Sequence, residues 1–154
     1  MGGVIYVKTS DNGGNDSNNG AAWDTALATI SNALTKATDG DEIRVAAGTY
    51  KETITISKSI SLLGGYSAEE NDTQDYVTNV TALDGAWKGY WGNVSPLIYN
   101  TADSLIEGFT IQSDDACSKA ALENSDANIT IRFCIFTNNS GAILNNGSSY
   151  ATIN

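Results

Sequence analysis

Residues 41–66 read DEIRVAAGTYKETITISKSISLLGGY, three short stretches in which apolar and polar positions alternate. Ile43 and Val45 alternate with Glu42 and Arg44, Ile54 and Ile56 with Thr53, Thr55 and Ser57, and Ile60 and Leu62 with Ser59 and Ser61. A period of two marks strands that bury one face. The breaks at Ala47-Gly48-Thr49 and Ser57-Lys58 are short and unlike hairpin turns, so the three strands predict one turn of a coil. A single turn cannot bury its inner face alone and needs another stacked on it.

The pattern recurs further along. Residues 104–112 (SLIEGFTIQ) lie over 130–137 (TIRFCIFT), with Ile106 on Ile131, Phe109 on Cys134 and Ile111 on Phe136. Ala151-Thr152-Ile153 lies over Ile129-Thr130-Ile131, and the same offset puts Leu144-Asn145-Asn146 on Leu122-Glu123-Asn124. Offsets of roughly 20–30 residues belong to β-solenoid and leucine-rich repeats. With no leucine-rich consensus and no helical pattern after residue 40, the expected class is an all-β solenoid.

One amphipathic helix is predicted, over 29–38. Thr29 suits the N-cap, and Ile30, Ala33, Leu34 and Ala37 share a face. Placed just ahead of the coil, it is expected to cover the open end of the first turn. The chain therefore reads as one domain, 1–154, with a strand, loop and capping helix in 1–40 and stacked turns in 41–154. Residues 67–76 (SAEENDTQDY) read as an acidic solvated loop. Asn154 falls inside a predicted strand, so a C-terminally truncated coil is expected, its last turn stacking on downstream sequence or on another chain.

Charge narrows the partners. The 154 residues carry 18 Asp plus Glu against 8 Lys plus Arg, a formal net charge of -10, with no histidine. That balance repels phosphate backbones and anionic lipid, so neither nucleic acid nor a membrane surface is an expected partner. No apolar run approaches the roughly 18–20 residues that span a bilayer. Met1-Gly2-Gly3 runs straight into a strand without a signal peptide, as expected of a mature form whose leader has been removed. Cys134 lies in an apolar run and reads as a small core residue; Cys117 lies in a polar bend, and a bridge between them is left open. Asn79-Val80-Thr81 and Asn128-Ile129-Thr130 fit the glycosylation triplet, which a chain this rich in Asn, Ser and Thr produces by chance.

Candidate chemistry is sparse. Asp11 and Asp16 lie in the loop DNGGNDSNNG, whose oxygens are of the kind calcium takes, making calcium the one candidate cofactor. The helix-flanked calcium loop would need a glutamate that is missing here, and the plainer reading is an Asx-rich turn. Asp114 and Asp115 form an acidic pair, but neighbours on a strand point to opposite faces, so a solvated corner is expected. Glu107 and Arg132 occupy equivalent positions on consecutive turns and predict a cross-strand ion pair, with a catalytic acid beside a cation as the sharper alternative. Lys88 and Lys119 have no carboxylate cluster beside them, and the commonest general base, histidine, is absent. Trp87, Tyr90 and Trp91 share a Gly-rich polar loop, where their rings either offer flat faces to sugars or fold back over a turn.

The order of strand, Asn/Gly/Asp loop, Trp23, amphipathic helix, GDEIRVAAGTYKETITI, SISLLGGY and TALDG resembles the N-terminal part of right-handed parallel β-helix proteins of the pectin-lyase-like superfamily. It is closest to large secreted bacterial proteins typical of Bacteroidetes, and similar to the repeats of polymorphic outer-membrane adhesins. The resemblance implies an extracellular or cell-surface location and a polysaccharide or glycan partner. Its enzymes are lyases with a Lys or Arg base, commonly with calcium, and hydrolases with clustered Asp, working mostly on central or later turns. A non-catalytic structural or adhesive module is therefore expected, contacting carbohydrate through Trp87, Tyr90 and Trp91. The alternative is the front of a polysaccharide lyase or glycoside hydrolase whose site lies beyond residue 154.

Overall fold

The computed structural model describes residues 2–69, 72–85, 96–112 and 120–154, and these are mostly β. Strand β1 (Val4–Val7) comes first, followed by helix α1 (Ile30–Lys36). Strands β2 (Glu42–Ala46), β3 (Gly48–Tyr50) and β4 (Ile54–Ile56) then enter three different sheets. Strands β5 (Ser61–Tyr66), β6 (Thr81–Asp84) and β7 (Ile98–Asn100) return to those sheets in the same order. So do β8 (Ser104–Glu107), β9 (Phe109–Gln112) and β10 (Ala120–Ser125), then β11 (Asn128–Arg132), β12 (Ile135–Thr137) and β13 (Gly141–Asn146). Strand β14 (Tyr150–Ile153) comes back to the first sheet, whose order is β1-β2-β5-β8-β11-β14. The strand pairings within the three sheets are parallel.

Register makes the core a set of stacked rows. Ile5, Ile43, Leu62, Ile106, Ile131 and Ile153 align in the first sheet. Tyr50, Leu83, Ile111 and Phe136 align in the second. In the third, Ile54, Ile98, Leu122 and Ile143 do the same. Except at the two ends these side chains are almost wholly buried. Each contributes about 1.5–3 kcal/mol by leaving water, and that contribution needs a neighbouring turn above or below.

The repeats predicted for Ile106 on Ile131, Ile111 on Phe136 and 151–153 on 129–131 are the observed registers. Two expectations change. The stretch around Leu62 is not the third strand of the first turn, because Leu62 pairs directly with Ile43 and so opens the next turn. The missing strand is β3, which the pattern assigned to a bend: its three residues bury only Tyr50, too few for alternation to show. Leu144 also shifts by one residue, opposite Glu123 rather than Leu122, while Asn145 faces Asn124. A one-residue slip exchanges the faces of a strand. Here a row of asparagine amides, buried at Asn100 and Asn124, decides: Asn100 Nδ2 donates to Asn124 Oδ1 at 2.8 Å and Asn124 Nδ2 donates to Asn145 Oδ1 at 3.0 Å.

Helix α1 is shorter than predicted but starts where expected, with Thr29 Oγ1 accepting from Asn32 N at 3.2 Å. Its buried Ile30, Ala33 and Leu34 lie against β1, β2 and β4. Two side chains flanking β4 hold its ends. Glu52 accepts from the backbone N–H groups of Ile30 and Ser31, both at 2.9 Å. Lys58 Nζ donates to the carbonyls of Leu34, Thr35 and Ala37 at 3.0, 3.0 and 2.6 Å. An anion at the start and a cation at the end complement the helix dipole and satisfy backbone groups the short helix leaves unpaired.

The two ends of the stack differ. The free edge of β1 is taken by backbone: Tyr6 N donates to Gly20 O, Leu27 N to Tyr6 O and Lys8 N to Leu27 O, at 2.9, 2.9 and 3.0 Å. At the other end no strand lies beyond β12, β13 or β14 among the described residues. Ile135, Leu144, Tyr150 and Ile153 there are 61, 43, 72 and 68% exposed. Among the described residues, no helix is long and apolar enough to cross a membrane.

Candidate functional site

The richest cluster of polar and aromatic side chains runs along the outer face of the first sheet. Tyr6, Arg44, Leu63, Glu107 and Arg132 are register partners one residue removed from the inner isoleucine row, so alternation turns them outward. Arg132 Nη1 lies 3.4 Å from Glu107 Oε2, the ion pair that the spacing predicts.

Glu107 is nevertheless buried, and a buried carboxylate needs further partners. Tyr76 supplies one, its Oη donating to Glu107 Oε1. Tyr76 reaches that position because its ring lies on bare backbone. A Cβ on Gly65 or Gly108 would come within 2.6 or 2.4 Å of Tyr76 Cδ1, and both glycines have positive φ, +84° and +75°. Tyr76, in the stretch that reads as a solvated acidic loop, thus folds back over the sheet. Burial, reinforced by the hydrogen bond and the charge of Glu107, pushes the Tyr76 phenol well above its ordinary pKa, so it remains a proton donor to the carboxylate.

One turn later, after Arg132, the residue following the outward position is not glycine but Phe133, with φ 50°. Left-handed backbone costs an L residue about 1–2 kcal/mol. The Phe133 ring stacks on Tyr76 at 5.2 Å between centroids, and the Arg132 guanidinium lies 5.5 Å from its centre. Aromatic pairing of this kind returns about 0.5–1.5 kcal/mol. Tyr76→Phe is expected to destabilise the protein by about 1–3 kcal/mol, because Glu107 loses a donor while staying buried. Urea unfolding checks this, and Glu107→Gln should be less sensitive to loss of the phenol than the wild type.

Nearer the capped end, Arg44 lies 5.9 Å from the Tyr6 ring centre and 5.5 Å from that of Tyr66. It bonds Glu42 at 2.5 Å and Asp72 at 3.1 Å. Asp72 also accepts from the indole of buried Trp23 at 3.0 Å. Both halves of this ridge pair their charges internally: Arg44 with Glu42 and Asp72, Glu107 with Tyr76 and Arg132. They fasten the 21–25 and 72–80 segments to the sheet.

Asp16 serves the helix. Its Oδ1 accepts from Ala28 N and Thr29 N at 2.9 and 3.0 Å, and its Oδ2 from Thr29 Oγ1 at 2.9 Å. Burial alone would raise its pKa, but hydrogen bonds from Thr29, Asn32 and Ala28 outweigh it and hold Asp16 below the ordinary carboxylate value. Asp11 is exposed in a short 3₁₀ turn, Ser10–Asn12. No group of three or more His, Cys, Asp or Glu suited to a metal ion occurs among the described residues.

Cys134 is half-buried with Sγ 3.3 Å from Arg132 O, and burial pushes its thiol up. Thr81 of one glycosylation triplet is buried, its hydroxyl accepting from Gly65 N at 2.9 Å. Trp87, Lys88, Tyr90, Trp91, Asp114, Asp115, Cys117 and Lys119 lie outside the described residues.

Tyr76 and the Asn100-Asn124-Asn145 row are the main features that the alternation did not show. The asparagines did leave a signal, an apolar-x-Asn triplet recurring as Ile98-Tyr99-Asn100, Leu122-Glu123-Asn124 and Ile143-Leu144-Asn145. Compared with family models, curated proteins and solved structures, the chain matches none.

Proposed function

We propose that this chain is the capped section of a right-handed parallel β-helix of pectin-lyase-like type. In this reading it is a non-catalytic structural or adhesive module of a secreted or cell-surface protein. The observation that carries it is the fixed rotation of the chain through three parallel sheets, begun under a helical cap and backbone-closed edge. Crossovers between parallel strands are right-handed in nearly all known proteins, which supplies the hand. A stack of this kind suits a rigid spacer, and the internally paired outer ridge suits a wall better than a proton-transfer site. Carbohydrate contact is assigned to Trp87, Tyr90 and Trp91.

Polysaccharide turnover tests the non-catalytic part. Incubation with acidic and neutral polysaccharides, with and without calcium, is expected to yield no new unsaturated or reducing ends. Turnover that disappears in Asp114→Asn or Asp115→Asn would replace the scaffold by a lyase or hydrolase. Glycan-array binding that is lost in Trp91→Ala is the result expected of the adhesive part.

A further inference from the structure

We propose that the cavity beside Tyr6 and Trp23 receives a guanidinium, the arginine side chain of a polypeptide partner. It measures about 340 Å³ and is lined by Tyr6, Ala22, Trp23, Asp24 and Asp72. That volume lies at the lower end of the range in which proteins hold small ligand groups. Trp23 is the buried wall, Tyr6 is half-buried, and Ala22, Asp24 and Asp72 are exposed. The site shares no residue with the carbohydrate contact proposed above.

The neighbouring position shows what such a set of groups holds. Arg44 lies against the rings of Tyr6 and Tyr66, 5.9 and 5.5 Å from their centres, and pairs with Glu42 and Asp72. Two rings and two carboxylates thus already bind one guanidinium. The cavity repeats that set with Tyr6, Trp23, Asp24 and Asp72, and its two rings meet edge to face at 4.8 Å. Its acceptors are still open. Arg44 Nη1 and Trp23 Nε1 both reach Asp72 Oδ1, at 3.1 and 3.0 Å, which leaves Oδ2 without a partner among the described residues. The Asp24 carboxylate has no partner among them either. A planar cation with forked N–H donors fits two carboxylates beside aromatic rings better than an ammonium, which acts as a point charge. The net charge of -10 draws cations to this surface and repels anions.

Titration with Nα-acetyl-arginine methylamide, followed through the indole N–H signals in two-dimensional NMR, tests this. Of the three tryptophans, Trp23 is expected to shift saturably, and added salt should weaken binding because the carboxylates are exposed. The citrulline analogue, alike in shape but uncharged, should bind about fivefold more weakly or worse. Free arginine should bind no better than the blocked probe, since its α-carboxylate meets an acidic surface. Asp24→Asn should weaken binding about threefold and Asp24→Lys about tenfold or more. Asp11→Asn removes an equal charge from a different exposed turn and should leave binding within a factor of about two. No saturable shift at Trp23, equal binding of the citrulline analogue, equal loss in Asp11→Asn, or unchanged binding in a folded Asp24→Lys variant would each overturn the proposal. Free arginine binding about tenfold more tightly than the blocked probe would overturn the polypeptide partner in favour of an amino acid. A neutral monosaccharide that moves the Trp23 signal when the arginine probe does not would give the cavity to a sugar instead.

Discussion

Asn124→Ala is expected to destabilise the protein by about 2–4 kcal/mol, more than any change on the outer faces. Asn124 is wholly buried, and its amide is a junction between three turns. It accepts from Asn100 Nδ2 at 2.8 Å and donates to Ala127 O, Asn145 Oδ1 and Tyr150 O at 2.9, 3.0 and 3.3 Å. Alanine takes away one acceptor and the donor to three oxygens, and an unsatisfied buried polar group costs about 1–3 kcal/mol. For a chain of this length that corresponds to roughly 5–15 °C in Tm. Replacing all three asparagines by leucine should recover only part of the loss, since the amides then no longer leave one another unpaired but Ala102 O, Ala127 O, Tyr150 O and Ser104 Oγ still lose their partners. It should also remove the contact that selects the register of β13. A urea midpoint within about 0.5 kcal/mol of wild type for Asn124→Ala, a shift typical of neutral surface changes, would make the row incidental to stability.

Acid is expected to loosen the capped end while the central turns stay closed. Asp41 is buried where the first strand, the helix exit and β2 converge. Its Oδ1 accepts from Gly3 N at 2.6 Å, and its Oδ2 from Thr38 N at 2.7 Å and Thr38 Oγ1 at 3.0 Å. The Thr38 backbone bond, then that of Gly3, holds its pKa below the ordinary 3.8 against the opposing effect of burial. Asp16 at the helix start is held down as well. A folded-state pKa below the unfolded one adds stability that is complete above about pH 4 and disappears as pH falls through the lower folded value. Hydrogen exchange at Gly3, Ala28, Thr29 and Thr38, corrected for intrinsic rates, should therefore rise as pH falls below about 4, before that of β8 and β11. Asp41→Asn should cost about 1–3 kcal/mol at pH 7, because an amide cannot accept on both sides. If Asp41→Asn leaves the acid sensitivity of Gly3 and Thr38 intact, Asp41 is not its source.

The outer ridge shows how far local pattern reaches. Glu107 and Arg132 were legible as a pair because both stand one residue after an inner isoleucine, and strand geometry turns such positions to the same face. Tyr76 was not, because it lies 31 residues from Glu107 in a polar stretch with no periodicity. Its place depends on Gly65 and Gly108 lacking side chains, and only folding brings those glycines beneath one ring. Glu52 and Lys58 were equally hidden. In sequence they belong to a strand's polar flanks, yet in space they close both ends of a helix more than 20 residues earlier.

By itself the sequence determined the alternation that selects the inner rows, the repeat that stacks Ile106 on Ile131, and a helix beginning after Thr29. These follow from rules operating within a few residues, where backbone geometry converts side-chain order directly into faces. Tertiary structure alone decided that Gly48–Tyr50 is a strand, that Ile143 rather than Leu144 turns inward, and which side chains lock the cap. Those choices depend on buried polar groups finding partners and on backbones approaching closely. Both are energies of contact between distant segments, which a linear pattern of apolar and polar residues does not carry.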